Sequence, residues 1–178
     1  SLDRWYGPYS APAKLNLFLE VLGRRSDGFH ELETLLVSLR IYDSISLRPT
    51  PPENDGQAGR ISLDVVAESA AFASAEGVQT LPVDSRNLVV RALELLRERS
   101  GSPLGADVRL VKRIPIAAGL GGGSSDAAAT LKLANRAWDL RWQLARLEAL
   151  AAELGSDVPF FLRSGAAVCR GRGERVEP

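Results

Sequence analysis

The stretch GLGGGSSDAA, residues 119–128, decides how the chain reads: four glycines and two serines run straight into an alanine-rich segment. As bare composition it could be a flexible linker. Its neighbours argue otherwise. ADVRLVKRI (106–114) has the character of a strand, and Ala127, Ala128, Leu131, Ala134 and Trp138 recur at the spacing of one helix face. Ser124 or Ser125 is the expected helix cap. A strand, a glycine loop and a helix start in that order form an anion site. Glycines let backbone N–H groups approach a ligand, and the first helical turn has unpaired donors with a partial positive charge. Phosphate is the natural guest. Two common phosphate loops do not fit: no lysine precedes Ser124 or Ser125, and Ser124 stands where the dinucleotide pattern needs its third glycine.

The remaining chain reads as mixed α and β. In AKLNLFLEVLG (13–23), Leu15, Leu17, Leu19 and Val21 alternate with Lys14, Asn16, Phe18 and Glu20, the pattern of a half-buried strand that puts Lys14 and Asn16 together on the face opposite the leucines. Further strands are expected at DSISLRP (43–49) and RISLDVV (60–66), separated by a turn over TPPENDGQAG (50–59). In SRNLVVRALELLRERSG (85–101) a stripe of Leu88, Val89, Ala92, Leu95 and Leu96 predicts a helix capped by Ser85 and ended by Gly101. Leu147, Leu150, Ala151 and Leu154 predict another, closed by Gly155. GAAVCRGRGERVEP (165–178) reads as a strand and turn. Without a regular βαβ alternation, α+β is favoured over a doubly wound sheet.

Composition bounds the function. The 178 residues, 45% hydrophobic and 25% charged, are ample for one core. Lys plus Arg and Asp plus Glu both number 22, and no polybasic block marks nucleic acid as a partner. No apolar run is long enough for a membrane span, and SLDRWYGPYS (1–10) lacks the regions of a signal peptide, so a cytosolic protein is expected. The single Cys169 and single His30 cannot build a Cys/His zinc site, and Cys169 is expected to be a small buried residue. Position 1 is not methionine, which fits a processed chain or one cut from something longer.

Three ordered motifs carry a resemblance. PIAAGLGGGSSDAA (115–128) resembles the phosphate-binding motif of the GHMP kinases. PAKLNLFLEVLGRRSDGFHELETL (12–35) and LGSDVPFFL (154–162) resemble one branch of that superfamily, which phosphorylates a cytidine diphosphate derivative of a methylated erythritol in non-mevalonate isoprenoid synthesis. The likeness implies an α+β domain of the ribosomal protein S5 domain 2-like type, a mixed sheet with helices packed on it. It implies an ATP-dependent kinase working with Mg²⁺ on a small molecule, with no metal residue named. Asp157 would be the base or orienter of the substrate hydroxyl, and Lys14 its cationic neighbour.

By the same likeness Pro115, Ile116, Ala117, Ala118, Gly119, Leu120, Gly121, Gly122, Gly123, Ser124 and Ser125 would wrap the ATP phosphates, and Asn87 and Lys112 would lie near the adenosine. His30 would hydrogen-bond cytosine, Phe29 would stack on it where the branch usually has tyrosine, and Asn16 would hold the substrate's polar end. The family continues into a second domain, so residues 1–178 are expected to be its N-terminal ATP-binding domain, with the C-terminal domain absent or truncated. The alternatives are another GHMP kinase, indifferent to cytidine, and a domain that holds nucleotide without turnover.

Overall fold

A computed structural model describes residues 2–24, 26–28, 30–53, 56–68, 73–74, 77–78, 81–116, 118–163 and 165–177. Two long strands, β1 (Tyr6–Arg24) and β2 (His30–Thr50), pair antiparallel over nearly their whole length. Next come β3 (Ile61–Ala67), a two-residue pair β4 (Ala73–Ser74) and β5 (Gly77–Val78), helix α1 (Leu88–Ser100) and β6 (Gly105–Lys112). The chain then runs through α2 (Gly122–Ala137), α3 (Leu144–Leu154) and α4 (Val158–Arg163) to the hairpin β7 (Ala166–Gly171) and β8 (Arg175–Glu177). The main sheet has the order β3-β6-β2-β7-β8, with β1 also on β2, and only the β3–β6 pairing is parallel among its described strands. The α+β expectation therefore holds.

The long strand β2 organises the sheet. Along one edge it takes β1; along the other, Leu32–Val37 pairs with β7 and Ser44–Thr50 with β6. Its second half alternates cleanly, with Asp43, Ile45 and Leu47 fully buried. Helices α1, α2, α3 and α4 cover that side, where Ile45, Leu47 and Leu110 meet Leu93, Leu96, Leu131 and Phe160 in one core. The other side carries Trp5 between two guanidinium groups, with Arg109 4.5 Å and Arg48 5.4 Å from its ring centre.

The helix stripes fall as the spacing predicts, with Leu147, Leu150, Ala151 and Leu154 buried on α3 and Ala127, Ala128, Leu131 and Ala134 on α2. Both predicted caps are corrected. Asn87, not Ser85, caps α1: its side-chain oxygen accepts from Val89 N–H at 3.0 Å and its amide donates to Pro82 C=O at 2.8 Å. Gly121 starts α2, with Ser124 and Ser125 already inside the first turn. Gly101 ends α1 in the left-handed conformation, as expected.

Strand β1 alternates only as far as Leu17, and with the opposite sense; from Phe18 to Leu22 both faces are exposed. Leu15, Leu17, Leu19 and Val21 are exposed, whereas Lys14 is 7% exposed and Asn16 half-buried. The apolar set that normally marks the inner face lies outside here. Lys14 can lie inward because it meets the Asp157 carboxylate across the fold. The first half of β2, HELETLLVSLRIY (30–42), was not anticipated as a strand, since Leu35, Leu36 and Val37 run together without alternation.

Replacing Asn87 with Ala should cost about 1 kcal/mol of stability, while Ser85→Ala, at an exposed position, should stay within about 0.5 kcal/mol. Denaturant midpoints of the two variants check the reassigned cap.

Candidate functional site

The glycine loop frames a cavity of about 330 Å³, lined by Pro115, Ile116 and residues 118–124, together with Asn87, Lys112 and Asp126. Gly121 sets its shape. It adopts φ 69°, and a Cβ there would stand 2.9 Å from both Lys14 Cγ and Phe161 Cζ, so a side chain is excluded by conformation and by space. Gly121 C=O accepts the first bond of α2, from Ser125 N–H at 2.9 Å, and no side chain caps the helix. The N–H groups of Gly122, Gly123 and Ser124 are thus left without intrahelical acceptors at the positive end of a 16-residue helix. That is a cradle for an anion. Ser125, by contrast, is buried away from the lining, with no hydrogen-bond partner for its hydroxyl. Ala117 lies outside the described residues.

Beneath the loop sits a cluster whose membership goes beyond the sequence reading. Lys112 Nζ donates to Asp126 Oδ2 at 2.8 Å and to Asp43 Oδ2. All three side chains are at most 5% exposed. Burial works against the Lys112 charge, but Asp126 and Asp43 more than offset it and hold the ammonium protonated. One ammonium cannot serve two buried carboxylates equally. Burial, with the charge of Asp43 added, pushes the Asp126 carboxyl up to about 7 despite Lys112. Its Oδ1 has no partner. Lys112 lies on the cavity with its charge already committed to these carboxylates.

On the far side of Gly121, β1 meets the start of α4. Lys14 N–H donates to Leu120 C=O at 2.9 Å, stitching the strand to the glycine loop. Lys14 Nζ lies 3.3 Å from Asp157 Oδ2 and donates to Asn16 Oδ1. Asn16 in turn donates to Thr34 Oγ1 at 2.9 Å, and Thr34 to Phe18 C=O at 2.6 Å. This run of bonds holds the Lys14 ammonium against a carboxylate that is 36% exposed. Buried Cys169 lies within the electrostatic reach of the pair; burial, and then the charge of Asp157, push its thiol up to about 11.

The third group of expected residues is split. Asn16 stands at the Lys14 corner. Exposed His30 lines a separate cleft of about 280 Å³ with Val21, Leu32, Ser156 and Arg172, which reaches the ionic corner through Ser156, the neighbour of Asp157. Phe29 lies outside the described residues. The site thus brings together Lys14, Asn16, Asp157 and the glycine loop, with His30 at one end. Sequence reasoning missed Asp43, Asp126 and Thr34. Asp126 sits within the glycine motif, but nothing local to Asp43 or Thr34 marks them.

Two substitutions test this arrangement. Gly121→Ala should weaken binding of a triphosphate by about tenfold or more, read by calorimetry, because Lys14 and Phe161 must both move. The second concerns protons. A carboxyl with a folded pKa above its unfolded value of about 4 keeps its proton in the native state after the unfolded chain has lost it, so Asp126 lowers stability as pH rises from about 4 to about 7, with no further change above. Asp126→Asn should flatten that slope, making the variant relatively more stable at pH 8 than at pH 5 in denaturant titrations.

Comparison with known proteins gives this geometry a lineage. Residues 87–165 match the family model "GHMP kinases N terminal domain". The 4-diphosphocytidyl-2-C-methyl-D-erythritol kinase of Prochlorococcus marinus strain MIT 9313 is 52% identical over 169 residues, covering 94% of this chain and 48% of the relative. That of Pelotomaculum thermopropionicum is 49% identical, covering 94% and 52%. A crystal structure of 4-(cytidine 5'-diphospho)-2C-methyl-D-erythritol kinase superposes with a TM-score of 0.70 at 38% identity, over 96% of this chain and 54% of that one. A crystal structure of L. major mevalonate kinase shares the fold at a TM-score of 0.59 and 14% identity, over 96% of this chain and 51% of that one. The chain spans about half the length of the curated relatives it matches. In sequence and fold alike it belongs to the GHMP kinases and carries their N-terminal domain.

Proposed function

We propose that this domain binds ATP and supplies the catalytic pair of a kinase that phosphorylates the 2-hydroxyl of 4-diphosphocytidyl-2-C-methyl-D-erythritol, giving the 2-phosphate and ADP. The observation that carries this reading is the Lys14–Asp157 pair at 3.3 Å, bound through the Lys14 N–H to the loop that cradles phosphate. The names of the relatives at about half identity supply the substrate class.

Phosphoryl transfer asks for positioning and charge neutralisation more than for covalent chemistry. The N–H groups of Gly122, Gly123 and Ser124 would hold the ATP phosphates, and residues 115–121 would close around them. The substrate's 2-hydroxyl would approach Asp157, whose carboxylate accepts the hydroxyl proton as the oxygen forms its bond to the γ-phosphorus and the bond from that phosphorus to the β,γ-bridging oxygen breaks. Lys14, held by Asn16, would offset negative charge on the attacking oxygen. His30 would meet the cytosine in its own cleft, with Phe29 as the stacking partner, and Asn87 would lie by the adenosine. Mg²⁺ would enter with ATP, held mostly by phosphate oxygens and water. Asp126, a residue of the cavity lining whose Oδ1 has no partner among the described residues, would be this domain's candidate ligand for such an ion.

Asp157→Asn should lower the transfer rate by about 10²- to 10⁴-fold while ATP affinity changes only a few fold. The rate is read with labelled ATP and the cytidine substrate, with the phosphorylated position mapped. Turnover near that of the unsubstituted protein would remove Asp157 from the chemistry. ATP binding without transfer in either protein would make this a nucleotide-holding domain.

A further inference from the structure

Strand β2 loses its partner midway along one edge. Strand β7 pairs only to Val37 and β6 only from Ser44, and the chain leaves the sheet at the end of β6 to form the glycine loop. Two backbone N–H groups, of Arg113 and Ile114, come out of the ladder there. Asp43 meets them both. Its Oδ1 accepts from Arg113 N–H at 2.6 Å and from Ile114 N–H at 2.9 Å, while its Oδ2 takes the Lys112 ammonium. Lys112 then reaches Asp126, in the first turn of α2. A single ammonium therefore links both ends of the loop, the strand that leads in and the helix that leads out.

We infer that Asp43 is a positioning residue for the phosphate loop: it replaces the missing strand at the end of β6, fixes the direction in which residues 113–121 leave the sheet, and through Lys112 ties that exit to the start of α2. The inference rests on the reading of this loop as the phosphate site. The physical case is one of cost. Three buried charges are expensive to desolvate, and an apolar cluster of equal volume would stabilise the fold at least as well. What an apolar cluster could not do is accept two backbone N–H groups at fixed angles and bond the helix start at the same time. The Asp43 carboxylate does both, the first directly and the second through Lys112.

The two oxygens of Asp43 separate the tasks. In Asp43→Asn the side-chain oxygen can still accept from Arg113 and Ile114, but an N–H now confronts the Lys112 ammonium. Asp43→Ala removes both contacts. Amide hydrogen exchange should speed up by about tenfold or more at residues 113, 114, 116 and 118–124 in Asp43→Ala, and mainly at Gly122–Ser124 in Asp43→Asn, with the amides of β3 and α3 unchanged. Affinity for ATP should fall by about tenfold in Asp43→Ala, with adenosine affinity within about threefold. The losses of Asp43→Asn and Lys112→Met should not add, because both break the same bond.

Unchanged exchange at residues 113, 114, 116 and 118–124 would overturn the inference. So would an equal acceleration across the whole core, which would mark Asp43 as a general stabiliser. If Asp43→Ala fails to fold, the near-isosteric Asp43→Asn decides by the same exchange readout. If the unsubstituted protein does not bind ATP at all, the functional reading fails, and exchange alone still decides whether Asp43 governs the loop.

Discussion

Gly121 turns the chain where there is room for no side chain at all, between the Lys14 methylenes and the Phe161 ring, and both halves of the site hang on that turn. On one side it releases the first-turn amides of α2 toward the cavity. On the other it lets β1 come close enough for the Lys14 N–H to bond Leu120 C=O, which brings the Lys14 ammonium to Asp157. A glycine here serves two ends at once. Positive φ shapes the cradle of free N–H groups, and the missing Cβ sets the distance between that cradle and the ionic pair.

The sequence yielded the site more readily than its supports. A glycine-rich run between a strand and a helix is a local signal, and it led to the cavity residues directly. Lys14 and Asp157 became legible through motifs quoted whole, though they lie 143 positions apart. Alternation in β1 told correctly that Lys14 and Asn16 share a face but could not tell which face was inside. Periodicity counts apolar residues, and a lysine whose partner lies across the fold looks like a surface lysine. Asp43 was read merely as the opening residue of a strand, because its acceptors' partners are about seventy positions away. Caps slipped by a few residues for a different reason: several capping residues compete at the head of α1, and backbone geometry, not identity, chooses Asn87 over Ser85.

Charge in this protein is balanced overall and uneven in depth. The formal net charge is zero. Most ion pairs, such as Arg86–Asp84 and Arg141–Asp139, are solvated and contribute little. Among the described residues, the ion pairs whose ammonium is buried lie around the glycine loop: Lys112 with two carboxylates below it, and Lys14 with Asp157 beside it. Burial concentrates electrostatic effect in the one region where a polyanion would be handled.

Cys169 gives that region a built-in reporter. The chain's one thiol is fully buried on β7, with Asp157 and Lys14 as its charged neighbours, and it holds its proton up to about 11. In the closed structure it is shielded from alkylating reagents by both proton and packing. Its rate of labelling therefore clocks how often this corner of the sheet opens, without any engineered probe. An added ligand that braces the Lys14–Asp157 corner would be seen as slower modification of a residue it never touches.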